Sequence, residues 1–471
     1  MVFRDTLMNH SQNTPMNCGS TRPVVRAKRS TRLSLNLALF FSPINNAYIA
    51  LVLTLTIPVL GGKRELKDYL VMDDIILDNK RVLVRVDFNS PTDPAGNILD
   101  DKRIKSHLET LRALEDCRVV LMAHQSRAGK KDFTTMEAHA KLATRLLHRE
   151  VTYVDDIFGS HALDMIKTLA PGEVLLLENT RFYAEENMNR SPADHAKSHM
   201  VKRLAPLFDL FINDAFAVSH RSHLSVVGFT ELLPSVAGIL MDKEITALDK
   251  GLKGHEHPTV FALGGTKADD SIKVTQNVLS RGGADRVLTS GVVATVFMMA
   301  SGLDVGEANR KFVEDQEYLD QIPIAAKLLK EYPDKIALPK DVALNKNGER
   351  VEVSVNKIPS DLPIADIGLE TIVEFSKALR EAKVAVLNGP TGIFENESFK
   401  LGTMELLKAA TESGYSVAGG GHTVAAVEKL GLAPKFSHVS IGGGASITYL
   451  SGDPLPGIEA LKKAAERYRK A

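Results

Sequence analysis

The sequence predicts an α/β protein of two doubly wound, Rossmann-like parallel sheets joined by a hinge helix, and three observations carry that expectation. From Arg81 onward, short apolar β-branched runs alternate with helical patterns, the signature of βα units in a parallel sheet. The runs are apolar throughout rather than alternating, as strands covered on both faces are. They also come to about twice the strand complement of one doubly wound sheet, so the chain divides.

The expected strands are 82–88, 119–123, 174–177, 210–212, 260–263, 286–289, 384–387, 415–418 and 439–441. Helices are expected at 104–114, 136–147, 369–381 and 404–411, where apolar residues recur at spacings of three and four. The break falls near Leu233-Pro234-Ser235-Val236-Ala237-Gly238, ahead of a charged helical stretch and the polar loop Gly254-His255-Glu256-His257-Pro258. The organisation read from this is an extension or leader at 1–66, a first domain at 67–235 and a hinge helix at 236–255. A second domain follows at 256–440 and a C-terminal segment at 441–471. Within the second domain, Asn345-Lys346-Asn347-Gly348 and Pro359-Ser360-Asp361-Leu362-Pro363 read as a hairpin and loop excursion.

The 471 residues are 44% hydrophobic and 25% charged, with 58 Lys plus Arg against 58 Asp plus Glu. That balance gives no overall field favouring nucleic acid, so any anion must be held by locally gathered cations. Cys18 and Cys117 are the only cysteines, which supports neither a disulfide framework nor a thiolate metal cage, and a reducing cytoplasmic setting is the default. The first sixty residues stand apart. Residues 1–32 carry Arg4, Arg22, Arg26, Lys28, Arg29 and Arg32 against the single acid Asp5, and an apolar stretch follows at 33–60. Its uninterrupted part, 47–60, is shorter than the ~20 residues of a membrane span. A signal-like or interfacial segment fits that length, and so does a non-structural extension or an upstream misassigned start.

In open α/β sheets, ligands bind beyond the carboxyl ends of the strands, so the residues there were read together. In the first half they are polar and largely cationic: Asp87 and Asn89; His124 and Arg127; Glu178-Asn179-Thr180-Arg181; Asn213-Asp214 and then His220-Arg221-Ser222-His223. Arg103 sits in the loop Asp100-Asp101-Lys102-Arg103-Ile104, ahead of a helix. Arginine's planar fork matches phosphate and carboxylate oxygens, so several at one sheet edge imply a small polyanion. The histidines lack the spacing of a zinc site.

The second half ends its strands in glycine: Gly264-Gly265-Thr266-Lys267, Asn388-Gly389-Pro390-Thr391-Gly392, Gly419-Gly420-Gly421-His422-Thr423 and Gly442-Gly443-Gly444. The third of these lies between an apolar stretch and a helical pattern, the layout of an anion site at a helix N-terminus, although plain turn geometry also produces it. Such loops suit nucleotide phosphates, with Lys267 as a point charge and Glu395 able to accept from ribose hydroxyls. None is a P-loop.

Taken in order, Arg85-Val86-Asp87-Phe88-Asn89, Asp101-Lys102-Arg103-Ile104, Glu178-Asn179-Thr180-Arg181-Phe182, Asn213-Asp214-Ala215-Phe216, His220-Arg221-Ser222-His223, Gly264-Gly265-Thr266-Lys267, Asn388-Gly389-Pro390 and residues 437–446 resemble phosphoglycerate kinases. The resemblance runs from about Asp73 to the C-terminus, and His124-Gln125-Ser126-Arg127 resembles the archaeal branch. It implies reversible phosphoryl transfer between 1,3-bisphosphoglycerate with ADP and 3-phosphoglycerate with ATP, with Mg²⁺ carried on the nucleotide, in a monomer. It assigns Asp87, Phe88, Asn89, Arg103, His124, Gln125, Ser126, Arg127, Arg181 and Arg221 to phosphoglycerate. It assigns Lys267, Asn388, Glu395, Gly420, Gly421, His422 and Thr423 to the nucleotide, with Arg103, Lys267, Gly420 and Gly421 stabilising the migrating phosphoryl group. The first domain would thus bind phosphoglycerate and the second the nucleotide, with the segment 441–471 returning to the first.

Two positions depart from the commoner family pattern. Ser271 stands where many members carry a second lysine, and His422 where many have an aspartate near the metal. Imidazole is a poor Mg²⁺ ligand beside oxygen, which leaves the metal to phosphate oxygens and water, with Asp366 as a helper, or leaves His422 to contact phosphate directly. A catalytically inactive nucleotide- or phosphoglycerate-binding protein is the alternative reading, and a kinase for a different acceptor a third.

Overall fold

The computed structural model describes residues 67–253, 256–359 and 361–470. The extension at 1–66, with its apolar stretch and Cys18, and residues Gly254 and His255 of the polar loop lie outside the described residues.

Fifteen strands are described. In chain order they are β1 (Arg81–Arg85), β2 (Arg118–Met122), β3 (Val151–Tyr153), β4 (Val174–Leu176), β5 (Leu210–Asn213), β6 (Ser235–Ala237), β7 (Thr259–Leu263), β8 (Arg286–Thr289), β9 (Ile336–Ala337), β10 (Asp341–Lys346), β11 (Glu349–Ser354), β12 (Ile364–Ile367), β13 (Val384–Asn388), β14 (Tyr415–Gly419) and β15 (His438–Val439). The first six form one parallel sheet in the order β3-β4-β2-β1-β5-β6. A second parallel sheet runs β15-β14-β13-β7-β8-β9. The hairpin expected around 345–363 is β10-β11, and with β12 it makes a small antiparallel sheet. The central strands are fully buried, with Val82, Leu83, Val84, Val119, Val120, Leu210 and Ile212 at 0% exposure, which is why their sequences carry no alternation.

The strand order reverses between β1 and β5 in the first sheet and between β7 and β13 in the second. Those are the crevices where a doubly wound sheet holds its ligand. Several expectations are corrected here. β1 ends at Arg85 rather than at Phe88; Val86 N–H still donates to Met122 O at 3.1 Å, and from Asp87 on the chain leaves the ladder. The helix expected over 104–114 is broken at His107 into Lys102–Ser106 and Leu108–Arg112. Arg103 therefore lies in a first helical turn rather than in the preceding loop. The edge strands β3, β6 and β9 have three residues or fewer, too short to stand out as apolar runs.

The helix between the two sheets spans Ile239–Leu252, three residues later than expected at its start because Ser235–Ala237 is a strand of the first sheet. It has no capping side chain of its own. Asp214, at the end of β5, takes that role: its Oδ1 accepts from the Leu240 and Met241 N–H groups at 2.9 and 3.2 Å. A Cβ at Gly238 would collide with the same carboxylate. At its middle, buried Glu244 accepts from Ser440 Oγ at 2.7 Å and Ile441 N at 2.9 Å. The connecting helix is thus bonded to both halves. The last helix, Pro456–Lys470, returns to the first sheet. Gly457 N–H donates to Ser219 O at 2.9 Å, Ala465 joins the core around Val236, and Arg467 donates to Thr230 O.

Candidate active site

Residues at the end of β1 organise the first crevice. Arg85 is 1% exposed: its Nε donates to Ser225 Oγ at 2.7 Å and its Nη2 to His124 Nδ1 at 3.0 Å. Ser225 in turn donates to Glu186 Oε1 at 2.6 Å, so one buried carboxylate answers the buried guanidinium through a hydroxyl. An arginine can only donate, so His124 Nδ1 is an acceptor and the proton of the neutral ring sits on Nε2. Burial first, then Arg85, Arg181 and Arg103, push the His124 pKa well down. Two residues after Arg85, Asp87 accepts from Arg103 Nη1 through Oδ2 and from Asn89 N–H at 3.3 Å through Oδ1.

The His124-Gln125-Ser126-Arg127 segment is held from behind. Ser126 has φ +54, a left-handed conformation unusual for a residue with a side chain. Its N–H donates to Asn89 Oδ1 at 2.7 Å, its hydroxyl to Asp132 Oδ1 at 2.6 Å, and its carbonyl accepts from Arg181 Nη1. Arg181 Nε is buried without a partner, and burial together with Arg85 and Arg221 lowers its pKa to about 10. His223 is pushed down to about 3 by burial and by Arg181, Arg221 and Arg85. Arg181 and the two histidines, each held down by burial and by neighbouring arginines, mark a cluster of cationic groups suited to an anion.

Not every residue expected here faces the crevice. Phe88 is 0% exposed and packs in the core, its ring 5.8 Å from that of His107. Gln125 is also 0% exposed and spends its amide on Ser90, Asp132 and His139. Both lie beyond the ends of their strands, next to polar residues of the crevice in sequence, and are held in the interior by these contacts. Arg127 and Arg221 are the exposed pair at the rim. Sequence reasoning missed Arg85 because an arginine inside an apolar strand reads as an edge residue. His107 was missed, and Asp214, read only as a strand-end residue, was not joined to it, because no spacing links the two.

In the second half, a cavity of about 280 Å³ is lined by Gly264 to Lys267, Asp270, Ser271, Asn388 to Pro390, Gly420 to Thr423, Gly443 and Gly444. An adjoining cavity of about 400 Å³ is lined by Val292, Thr295, Phe312, Ile364, Ile393, Glu395 and others, a largely apolar wall. Gly419 closes β14, Gly420 precedes the helix Gly421–Lys429 with φ +82, and a Cβ at Gly420 would meet Asn388 Oδ1. Thr423 Oγ1 accepts from Gly389 N–H at 2.7 Å, locking this turn to the loop after β13. The first N–H groups of the Gly421 helix are left open to the cavity, the arrangement that favours an anion. Lys267 is exposed, His422 and Glu395 stand at the rim with Nδ1 and Oε1 3.4 Å apart, and Ser271 is buried.

Asp366 does not reach this cavity. Its carboxylate is buried and fully committed: Arg350 Nη1 at 2.9 Å, Thr391 Oγ1 at 2.7 Å, Gly402 N at 2.8 Å and Ile367 N at 2.9 Å. The expectation that it helps a metal is corrected on that ground, since no oxygen remains to offer. Asp270 is the carboxylate that lines the cavity, with its pKa raised by burial and by Asp269. Among the described residues no cluster of three or more His, Cys, Asp or Glu could hold a metal on its own, and no helix is long and apolar enough to cross a membrane.

An ion pair, Lys102 Nζ to Glu428 Oε2 at 2.5 Å, joins the Arg103 helix to the helix that starts at Gly421.

The family model "Phosphoglycerate kinase" matches residues 72–453. The chain is 70% identical over 401 residues to "Phosphoglycerate kinase 1" of Methanosarcina acetivorans, covering 85% of this chain and 97% of that one. It is 50% identical over 392 residues to "Phosphoglycerate kinase" of Archaeoglobus fulgidus, covering 83% and 96%. Among solved structures, phosphoglycerate kinase from Pyrococcus horikoshii OT3 superposes with a TM-score of 0.77 at 41% identity, covering 84% of this chain and 100% of that one.

Proposed function

The chain belongs to the phosphoglycerate kinase family, in its archaeal branch, and on that premise we propose how its residues divide the family's reaction. That reaction is a phosphotransferase step with a carboxyl group as acceptor, running reversibly between 1,3-bisphosphoglycerate with ADP and 3-phosphoglycerate with ATP. The observation that carries the division is the arginine-rich crevice of the first half beside a glycine-floored cavity in the second.

In this reading Arg181, Arg221, Arg127, His124 and Asn89 hold the phosphate and hydroxyl of phosphoglycerate, with Arg85 fixing the His124 tautomer from beneath. Asp87 orients Arg103, whose guanidinium is aimed at the acceptor carboxylate and the migrating phosphoryl oxygens. The nucleotide lies with its base along the apolar wall, its ribose near Glu395, its phosphates over Gly420 to Thr423 and its terminal phosphate by Lys267 and Asn388. Asp270 is the protein oxygen suited to hold Mg²⁺ beside those phosphates. When bound, the ion supplies charge neutralisation on the phosphate oxygens. Transfer of this kind needs alignment and charge neutralisation more than a protein nucleophile. The open N–H groups at Gly421, Arg103 and Lys267 supply fixed positive charge where the transition state gains negative charge.

The domain limits at 67–235 and 256–440, a monomeric state, a cytoplasmic setting and the absence of a nucleic-acid partner belong to the same proposal. Two-site titration calorimetry tests the division. Arg181→Ala should weaken 3-phosphoglycerate binding at least tenfold and leave ADP binding unchanged, and an equal loss for both ligands would refute it.

A further inference from the structure

His107 touches neither cavity, yet it joins the two elements that the reaction must coordinate. It is fully buried at the break between Lys102–Ser106 and Leu108–Arg112. Its Nε2 lies 2.9 Å from the backbone N of Asp87, and its Nδ1 lies 2.7 Å from Asp214 Oδ2. A backbone N–H can only donate, so Nε2 is the acceptor and Nδ1 carries the proton that Asp214 receives. The imidazole is therefore locked in one tautomer by partners on both sides. Asp87 in turn pairs with Arg103, one helical turn before His107. The other oxygen of Asp214 caps the connecting helix at Leu240 and Met241. A second, independent bond joins the same parts: Ile239 N–H donates to Thr110 Oγ1 at 3.0 Å, from the segment that follows His107.

We propose that His107 is a positioning residue: through Asp87 it sets Arg103, and through Asp214 it ties that setting to the start of the helix joining the two sheets. A displacement of Asp87 and Arg103 around a bound phosphoglycerate is then passed to the N-terminus of the connecting helix by a chain of buried hydrogen bonds. The proposal rests on the assignment of Arg103 to the phosphoglycerate site.

The chain makes opposite demands on two substitutions that hardly alter volume. His107→Gln keeps an acceptor for the Asp87 N–H and a donor for Asp214 on atoms spaced much as the ring nitrogens are. Asp214→Asn keeps an acceptor for the helix cap but turns a donor toward Nδ1, which forces the proton to Nε2 and sets it against the Asp87 N–H. His107→Ala removes both bonds.

The experiment measures KM for 3-phosphoglycerate and for ATP in the full chain, together with backbone amide hydrogen exchange at residues 239–241 with and without 3-phosphoglycerate. Wild type and His107→Gln should share a low phosphoglycerate KM, and 3-phosphoglycerate should slow their exchange at 239–241. His107→Ala and Asp214→Asn should raise that KM roughly tenfold, leave the ATP KM within about twofold, and lose the ligand effect on exchange. An unchanged phosphoglycerate KM in Asp214→Asn, or equal rises in both KM values with the exchange effect intact, overturns the proposal. Arg103→Ala is the control for the reading beneath it. If Arg103→Ala moves the phosphoglycerate KM and the His107 and Asp214 variants do not, the coupling alone fails. If Arg103→Ala does not move it, the site assignment and the proposal fall together. Should His107→Ala not fold, the contrast between His107→Gln and Asp214→Asn decides.

Discussion

Lys102 Nζ lies 2.5 Å from Glu428 Oε2 and so links the residue next to Arg103 with the helix that floors the glycine-lined cavity. The side chains are 53% and 32% exposed, and an ion pair so open to water is worth no more than ~1 kcal/mol and is screened by salt. Lys102→Ala should therefore lower kcat/KM by less than about fivefold, with the deficit disappearing at high ionic strength. A loss of a hundredfold or more that persists in salt would mean that Lys102 touches a substrate.

His422 pairs with Glu395 at the cavity rim, at the first turn of the helix Gly421–Lys429. An imidazole there suits a nucleotide phosphate better than a Mg²⁺ ion. His422→Ala should raise KM for ATP roughly tenfold without moving the Mg²⁺ dependence of the rate. Unchanged nucleotide and Mg²⁺ dependence in that variant would remove His422 from the site.

Asp366 is the hub between the hairpin and the loop that follows β13, because Arg350 and Thr391 both bind it. Removing Arg350 leaves a buried carboxylate without its countercharge, a change that costs about 3–5 kcal/mol. Arg350→Ala should lower the melting temperature and raise KM for ATP as Thr391 loosens. Were Asp366 instead a metal ligand, the variant would alter the Mg²⁺ requirement with little loss of stability.

Acid should destabilise the fold through histidines buried without charge. Burial holds His139 down to about 4, and His124 is held well below its ordinary value by burial and three arginines. In the unfolded chain both take up protons near pH 6.5, so between there and about pH 4 the unfolded state binds more protons than the folded one. Stability is then complete above about pH 7 and falls with pH at ~1.4 kcal/mol per pH unit for each such histidine. Added 3-phosphoglycerate should flatten that slope by supplying negative charge beside His124. Urea titrations from pH 7 to pH 4 measure it, and a flat profile over that range would contradict the assignment of these groups.

Much of this architecture was legible because parallel strands buried on both faces are written as unbroken apolar runs, and β8 at Arg286–Thr289 was read to the residue. The short edge strands, of which Val151–Tyr153 is one, were not, since three residues carry no period. Arg103, Arg181 and Lys267 could be picked out because their charges stand at strand or helix ends. Arg85, His107 and Glu244 were not, because what makes them matter is a partner 100 residues or more away or a buried hydroxyl; His107 and its partner Asp214 stand 107 positions apart. Phe88 and Gln125 show the converse error. They share motifs with the polar residues of the crevice, but their own side chains are buried, which no motif records.

The central claim is that one half presents phosphoglycerate to a nucleotide held by the other. Its most direct test is ATP-dependent formation of 1,3-bisphosphoglycerate from 3-phosphoglycerate by the purified full chain, with the acyl phosphate trapped by hydroxylamine. The account predicts turnover that requires Mg²⁺, ATP and 3-phosphoglycerate together and that falls by about a hundredfold or more in Arg103→Ala. No turnover from a chain that binds both ligands by calorimetry would contradict it and leave a binding protein in its place.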